Sequence, residues 1–155
     1  MTDVHDLLSA DAVLERESAG TRKSLFQHLS LVAAQVYWLD AAAAAESVAA
    51  REKLGSTGFG RGVATPHGRL AGLPGVCGVF ARLANPIDFA AVDDLPVDIV
   101  FMLLSPPDAG AEHLKALACV SRMLRDANFV DKLRGAGSRD ALVALLIADR
   151  ARDAA

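Results

Sequence analysis

The sequence has few aromatic residues and no excess of positive charge. Phe, Trp and Tyr make up 5% of its 155 residues, and 16 Lys and Arg stand against 19 Asp and Glu, which gives a formal net charge of −3. No stretch concentrates Lys and Arg as a nucleic-acid-binding arm would, so we expect no nucleic-acid partner. Tyr37 and Trp38 are adjacent in a predicted helix, and they give no sign of a platform on which a sugar could stack.

Long apolar runs and cysteine pairs are also missing. The apolar run at 97–104 is far shorter than the ~20 residues of a membrane-spanning helix. Residues 1–6 lack the basic region of a signal peptide. We therefore expect a cytoplasmic protein that is not inserted in a membrane. Cys77 and Cys119 stand in apolar surroundings without a Cys-x-x-Cys spacing, so we expect two buried thiols and no disulfide.

Apolar residues make up 52% of the chain and are spread along it without an internal repeat or a low-complexity linker. This composition predicts one globular domain over residues 1–155. Apolar periodicity and capping residues predict its elements. We expect a strand over 12–15, helices over 21–39 and 40–55, strands over 76–83 and 97–104, and helices over 114–124, 127–133 and 138–146.

The predicted strand over 97–104 decides the fold class. It is almost entirely apolar, which is typical of a strand buried on both faces. Helices on both sides of the sheet would provide that burial. We therefore predict an α/β fold, a three-layer α/β/α sandwich in which a small mixed sheet is flanked by helices.

The segment from Gly55 to Gly68 holds five of the twelve glycines, and so dense a run of flexible residues indicates a geometric need. The segment is not a P-loop. Arg61 and Gly62 stand where that motif needs Lys and then Ser or Thr, and Pro66 discourages the helix that should follow. The glycine spacing also misses the dinucleotide fingerprint and follows a predicted helix instead of a strand. We expect no nucleotide cofactor.

Four side chains are potential zinc ligands: His67, His113, Cys77 and Cys119. No pair of them has the spacing of metal ligands. His113 and Cys119 also fall on widely separated faces of one predicted helix, at ~100° per residue. We expect neither a metal nor any other cofactor.

The tetrapeptide Thr65-Pro66-His67-Gly68 places a histidine between a proline that restricts the backbone and a glycine that lets the chain turn. An imidazole in that position is presented at the surface. Its ordinary pKa near ~6.5 leaves a neutral fraction at physiological pH, and the neutral ring has one nitrogen lone pair that can attack phosphorus. The tetrapeptide alone favours the alternative, a turn histidine that only bonds to the backbone.

Further residues point to one family. The segments R-E-K-L-G-S-T-G (51–58) and V-A-T-P-H-G (63–68) resemble the active-site signature of the fructose/mannitol/nitrogen class of enzyme IIA domains of the bacterial phosphotransferase system. Segments 86–89, 96–106 and 113–117 look like later blocks of that family in the same order. The resemblance covers about residues 10 to 150, and an ordered set of blocks is far more specific than any one of them.

This resemblance implies a phosphotransferase with a phosphohistidine intermediate. His67 would accept a phosphoryl group from an HPr-like phosphocarrier protein, with its second ring nitrogen bonded to a backbone carbonyl. His113 stands at the place of the family's second active-site histidine, and Arg51 at the place of its arginine, which would supply donors to phosphate. Ser56, Thr57 and the glycine amides, among them Gly68, would complete a nest around the phosphate.

The family divides into sugar-delivering enzymes and a nitrogen type that ends the relay and regulates other proteins. The Gly-Ser-Thr-Gly block, and the absence of a transporter domain, look more like the nitrogen type. The resemblance therefore implies a regulatory phosphocarrier with regulatory target proteins as partners. The alternatives are a free-standing enzyme IIA for fructose or mannitol, and a binding module whose phosphate site has decayed.

Two further expectations concern the surroundings of His67. Arg61 departs from the family pattern, in which an uncharged or acidic residue is frequent, so we expect it to make the potential at His67 more positive. Phe59 and Leu70 are expected to form an apolar rim around the histidine and to dock the carrier.

Overall fold

A mixed sheet of six strands lies at the centre of the protein, whose computed structural model describes residues 3–148. The strands are β1 (Leu8–Glu17), β2 (Gly58–Gly60), β3 (Val63–Ala64), β4 (His67–Arg69), β5 (Cys77–Ile87) and β6 (Val97–Ser105). The helices are α1 (Val4–Leu7), α2 (Arg22–Tyr37), α3 (Ala41–Lys53), α4 (Gly110–Arg125), α5 (Ala127–Gly135) and α6 (Arg139–Val143), with a π-helical turn at Ala144–Ala148.

Strand β6 organises the sheet. The strand order is β1-β5-β6-β3-β2, and β4 lies beside β6 as well. β5 runs antiparallel to β6, whereas β3 and β4 both run parallel to it along the same edge. Every residue of β6 except Asp98 is buried, which confirms the prediction of a strand covered on both faces.

The helices begin where the capping residues predict. The side chains of Thr21, Asp40 and Ser138 each accept a hydrogen bond from a backbone amide in the first turn of α2, α3 and α6. α2 and α3 pack against each other and against β5 and β4, while α4 packs against β6 and α6 against β1. The predicted α/β sandwich is confirmed. Among the described helices, none has both the length and the apolar character needed to cross a bilayer.

Three features of the fold differ from the sequence predictions. The glycine-rich segment contains three very short strands, β2 to β4, and the chain has a short helix α1 before β1; neither was predicted. Strands this short carry too little periodicity to stand out from a loop. Cys77 and Cys119 are both thiols, but Cys77 alone is buried and Cys119 is half-buried.

The strand edge along β6 is interrupted between β3 and β4 at Thr65 and Pro66. Proline has no amide hydrogen and cannot donate to the ladder, although its carbonyl accepts a bond from the amide of Leu103 at 3.0 Å. The ladder resumes at His67, which lies opposite Leu103. At this interruption the Thr65 carbonyl accepts a hydrogen bond from the side chain of His67, at the start of β4.

Gly68 allows β4 to lie directly against α3. A Cβ added at this position would lie 2.7 Å from the Ser47 hydroxyl and 3.0 Å from the Val48 amide nitrogen. The sequence prediction that Gly68 serves a sharp turn is wrong: it lies inside a strand, and the absence of a side chain matters for the close approach.

Gly68→Ala is expected to destabilise the protein by about 1–3 kcal/mol, because the new methyl group must push α3 away from β4. Urea unfolding measures this as a lower midpoint. Gly135→Ala is the matched control, since no atom lies within 4 Å of a Cβ at Gly135 in α5 and alanine is favoured in a helix. Equal stability of the two variants would contradict the packing argument.

Candidate functional site

His67 begins β4 and is half-buried, with a hydrogen bond from Nδ1 to the carbonyl oxygen of Thr65 at 2.9 Å. Because a carbonyl only accepts, Nδ1 carries the proton, and in the neutral ring Nε2 has the free lone pair. The expected hydrogen bond to a backbone carbonyl is therefore present. It fixes the tautomer and leaves the lone pair of the neutral ring on Nε2.

The surroundings of His67 favour this neutral ring. Burial lowers the pKa of His67 below its ordinary value of 6.5, and the guanidinium groups of Arg51 and Arg69 lower it further. The bond to Thr65 and the carboxylate of Glu52 act in the opposite direction. Since burial is the largest cause, the site holds an uncharged imidazole among cationic groups at neutral pH.

His113, near the start of α4, lies beside His67, with the two ring centroids 5.5 Å apart. Its side chain is 6% exposed, and its Nδ1 is 2.6 Å from the hydroxyl oxygen of Ser105, the last residue of β6. Burial, together with Arg69 and His67, lowers the pKa of His113 to about 4. His113 is therefore a fixed, neutral imidazole at physiological pH.

This low pKa makes the stability of the protein depend on pH. Above pH 6.5 His113 is neutral in the folded and the unfolded chain; between 6.5 and about 4 only the unfolded chain takes up the proton. The free energy of unfolding should therefore decrease as the pH is lowered through this window, by at most about 1.4 kcal/mol per pH unit for one histidine. His113→Gln should show a shallower fall in unfolding experiments between pH 7 and 5. An identical slope for both proteins would refute the assignment.

Arg51 lies in the last turn of α3, and its Nη1 donates to the carbonyl oxygen of Gly55 at 2.9 Å. The bond holds the guanidinium over the start of the glycine-rich segment. Its charge acts on His67 and lowers the pKa of that histidine. The structure thus brings together the three side chains that the resemblance singled out: Arg51, His67 and His113.

Ser56 and Thr57 hold the loop together. The Ser56 hydroxyl donates to the carbonyl of Phe89 at 2.8 Å and accepts the amide of Gly58 at 3.0 Å. The Thr57 hydroxyl and amide both donate to the carboxylate of Glu52, at 2.8 and 2.9 Å. Each hydroxyl hydrogen is thus used within the protein, so the structure does not support the predicted phosphate-binding role of these two side chains. Gly68 packs against α3, as described above.

Glu52, in the last turn of α3, was not singled out in the sequence, although its carboxylate holds Thr57 of the loop in place. Its carboxylate is buried, with 6% of the residue exposed, and it lies 3.5 Å from Nη1 of Arg22. A buried carboxylate needs such partners. Its position directly after Arg51, inside the R-E-K-L-G-S-T-G block, was the available signal.

Arg69 is the second residue of the site that sequence reasoning missed. It is exposed at the end of β4 and acts electrostatically on both His67 and His113. Because side chains alternate along a strand, residues 67 and 69 lie on the same face of β4. This alternation was the signal, but it becomes visible only when the short strand is known.

The expectations for Arg61 and Leu70 need correction, whereas that for Phe59 stays a prediction. Arg61 forms the turn between β2 and β3 with φ 59°, and among the described residues the charges that act on His67 do not include it. Leu70 is buried in the core and cannot form a docking rim. Phe59 is half-buried, with the Arg125 guanidinium 5.3 Å from its ring centroid.

Within residues 3–148, no cluster of three or more His, Cys, Asp and Glu side chains is placed to hold a metal ion. The site consists instead of two neutral imidazoles near two guanidinium groups, a set of groups that suits a phosphate or another anion. The fold and the site thus define an α/β protein in which two adjacent imidazoles, His67 and His113, lie under the influence of cationic side chains.

Comparisons with known proteins identify the family. Residues 6–148 match the family model described as "Phosphoenolpyruvate-dependent sugar phosphotransferase system, EIIA 2", and the chain belongs to this family. It is 43% identical over 143 residues to a "Nitrogen regulatory protein" of Bradyrhizobium diazoefficiens, covering 92% of this chain and 94% of that one. A protein of the same name from Escherichia coli is 37% identical over 153 residues, covering 94% of each chain.

Comparison with solved structures points to the same family. The crystal structure of the nitrogen regulatory protein IIA-Ntr from Neisseria meningitidis superimposes with a TM-score of 0.86 at 35% identity, covering 92% of this chain and 98% of that one. The mannitol IIA protein of Escherichia coli, at 18% identity and a TM-score of 0.75, covering 89% of this chain and 97% of that one, shares the fold. The predicted resemblance to the nitrogen type of the family is confirmed.

Proposed function

We propose that this protein is a phosphocarrier that takes a phosphoryl group from a phosphohistidine of an HPr-like carrier protein and holds it on Nε2 of His67. One observation carries the proposal: Nδ1 of His67 donates to the carbonyl of Thr65. That bond leaves the lone pair of the neutral ring on Nε2, and an unprotonated nitrogen is what attack on phosphorus requires.

The reaction is a transfer between two imidazoles. Nε2 of His67 attacks phosphorus in line with the bond to the donor nitrogen. The new N–P bond forms as the N–P bond of the donor breaks, and the electron pair of the broken bond returns to the donor imidazole. The proton on Nδ1 stays in its bond to Thr65. Because the donor is itself a phosphohistidine, the step needs no nucleotide.

The neighbouring groups stabilise the charge of the phosphoryl oxygens. Arg51 contributes a guanidinium, part of which is already fixed by its bond to Gly55. His113 is neutral, so it contributes a hydrogen bond and no charge. When the Ser105 hydroxyl donates to Nδ1 of His113, the proton of the neutral His113 ring is on Nε2. This N–H group can then donate a hydrogen bond to a phosphoryl oxygen.

Phosphorylation of His67 adds up to about two negative charges to a surface of cationic groups. Regulatory target proteins would read this change directly. The nitrogen-type relatives in several bacteria, each covered over almost their whole length, support regulation as the outcome. We place the protein in the cytoplasm, together with its carrier.

A second candidate is delivery of the phosphoryl group to the IIB component of a sugar transporter. The supporting observation is a 31% identity over 140 residues to a protein of Haloferax volcanii named "PTS system fructose-specific EIIA component". Incubation of the phosphorylated protein with purified fructose or mannitol IIB components separates the candidates. We expect the phosphoryl group to stay on His67; rapid transfer to a IIB component would favour sugar delivery.

Acceptance is tested by mixing the protein with a phosphorylated HPr-like carrier and measuring its intact mass and its ¹H–¹⁵N NMR spectrum. We expect the mass of one phosphoryl group and a shift of the Nε2 resonance of His67. A phosphoryl group on Nδ1, or no phosphorylation by any HPr-like carrier, would overturn the proposal.

A further inference from the structure

Arg69 is a cationic residue two positions after His67 in β4, and both its backbone amide and its guanidinium are hydrogen-bonded within the protein. Its amide donates to the Ser47 hydroxyl of α3 at 2.9 Å. Its Nη1 donates to the carbonyls of Pro106 and Pro107, at 3.4 and 3.2 Å. An exposed arginine normally loses conformational freedom when it binds a ligand, but the two bonds of Nη1 already restrict the guanidinium of Arg69.

The three partners of Arg69 belong to the elements that carry the site. Ser47 lies one helical turn before Arg51 in α3. Pro106 and Pro107 connect β6 to α4, which carries His113. Arg69 itself follows His67 by two residues in β4, so the two side chains leave the same face of the strand. The backbone of Arg69 is therefore attached to α3, and its guanidinium is held at the connection between β6 and α4.

The charge of Arg69 reaches both rings. It lowers the pKa of His67 and of His113, and at His113 it is the largest cause after burial. The bonds to the proline carbonyls use Nη1 alone. In the part of the chain that the structure describes, Nε and Nη2 have no hydrogen-bond partner, so three N–H groups remain available.

We propose that Arg69 is a phosphoryl-binding residue of this protein, whose free N–H groups bind the oxygens of the phosphoryl group on His67 from the side of α4. The inference rests on the proposed function and adds a second guanidinium to Arg51. The two arginines approach from different elements, one from the end of α3 and one from β4. Together they neutralise the charge that arrives with the phosphoryl group.

The test uses potassium phosphoramidate, a small phosphoryl donor without a docking surface. Its transfer to His67 reports phosphate binding without carrier recognition. We expect Arg69→Gln to slow this transfer about 10-fold to 100-fold, and Arg69→Lys to recover part of the rate, because lysine keeps the charge but not the planar fork. NMR titration of Arg69→Gln should show higher pKa values for both His67 and His113.

Arg61→Asn is the matched control. Arg61 is also an exposed arginine of the glycine-rich segment, and its left-handed backbone, φ 59°, suits asparagine. Its phosphoramidate rate and both histidine pKa values should stay those of the unmodified protein. Unchanged rates and unchanged pKa values in Arg69→Gln, or equal effects of both variants, would overturn the inference. If the unmodified protein accepted phosphate from phosphoramidate but not from the carrier, the proposed function would be contradicted. The phosphoramidate rates of Arg69→Gln and Arg61→Asn would still decide the inference about Arg69.

Discussion

His67→Asn is expected to lose phosphoryl acceptance completely. The Asn amide can still donate to the Thr65 carbonyl, in the place of Nδ1, but it offers no nucleophilic nitrogen where Nε2 stood. Because His67 is half-buried at the beginning of a short strand, the free energy of unfolding should change by less than about 1 kcal/mol. The measurement is intact mass after incubation with phosphorylated carrier, with urea unfolding to verify the fold.

No second histidine is expected to replace His67. His113 is 6% exposed and its Nδ1 is bonded to Ser105; with the Ser105 hydroxyl as donor, Nε2 of His113 carries the proton, so neither nitrogen offers a free lone pair to phosphorus. His28 provides the matched control: it is exposed on α2, beside Glu17, and His28→Asn should accept phosphate at the normal rate. Phosphorylation of His67→Asn at a comparable rate, at any residue, would contradict the assignment of the acceptor.

The long elements of the fold were predictable because they carry strong periodicity. The apolar run that became β6, and the capping residues Thr21, Asp40 and Ser138, needed only local rules. The strands β2 to β4 were not predictable, because two or three residues cannot show an alternation. Their existence depends on pairing with β6 and with each other, which is tertiary information.

The same difference divides the candidate site. His67, His113 and Arg51 stand in motifs that can be compared with a family. The roles of Arg69 and Glu52 depend on geometry that motifs do not show: Arg69 shares a face of the short strand β4 with His67, and Glu52 is buried at the end of α3, where it binds Thr57. The sequence also does not show that the hydroxyl groups of Ser56 and Thr57 donate to Phe89 and Glu52 within the protein. Hydroxyl side chains in a glycine-rich segment do not reveal which acceptor they will find.

The charge of Arg51 gives the second large effect: Arg51→Met is expected to slow phosphoryl transfer from the carrier about 10²-fold to 10³-fold, the usual loss for one donor group in a charge-stabilising site. Methionine keeps the apolar stem and the helix propensity of α3 but removes the guanidinium that is bonded to Gly55. Because that cation lowers the pKa of His67, the pKa should also rise in an NMR titration. More of the ring is then protonated near neutral pH, so the loss of rate should be greater at pH 6 than at pH 8.

Lys53→Met distinguishes this effect from a general loss of positive charge. Lys53 lies in the same last turn of α3, is exposed, and has the same formal charge. We expect its removal to leave the histidine titration unchanged and the transfer rate within about twofold, since an exposed charge is largely screened by water and salt. If Lys53→Met and Arg51→Met lost rate equally, the arginine would act through long-range attraction of the carrier. A rate loss confined to Arg51→Met, together with a higher His67 pKa, requires the guanidinium to act at the phosphoryl group itself.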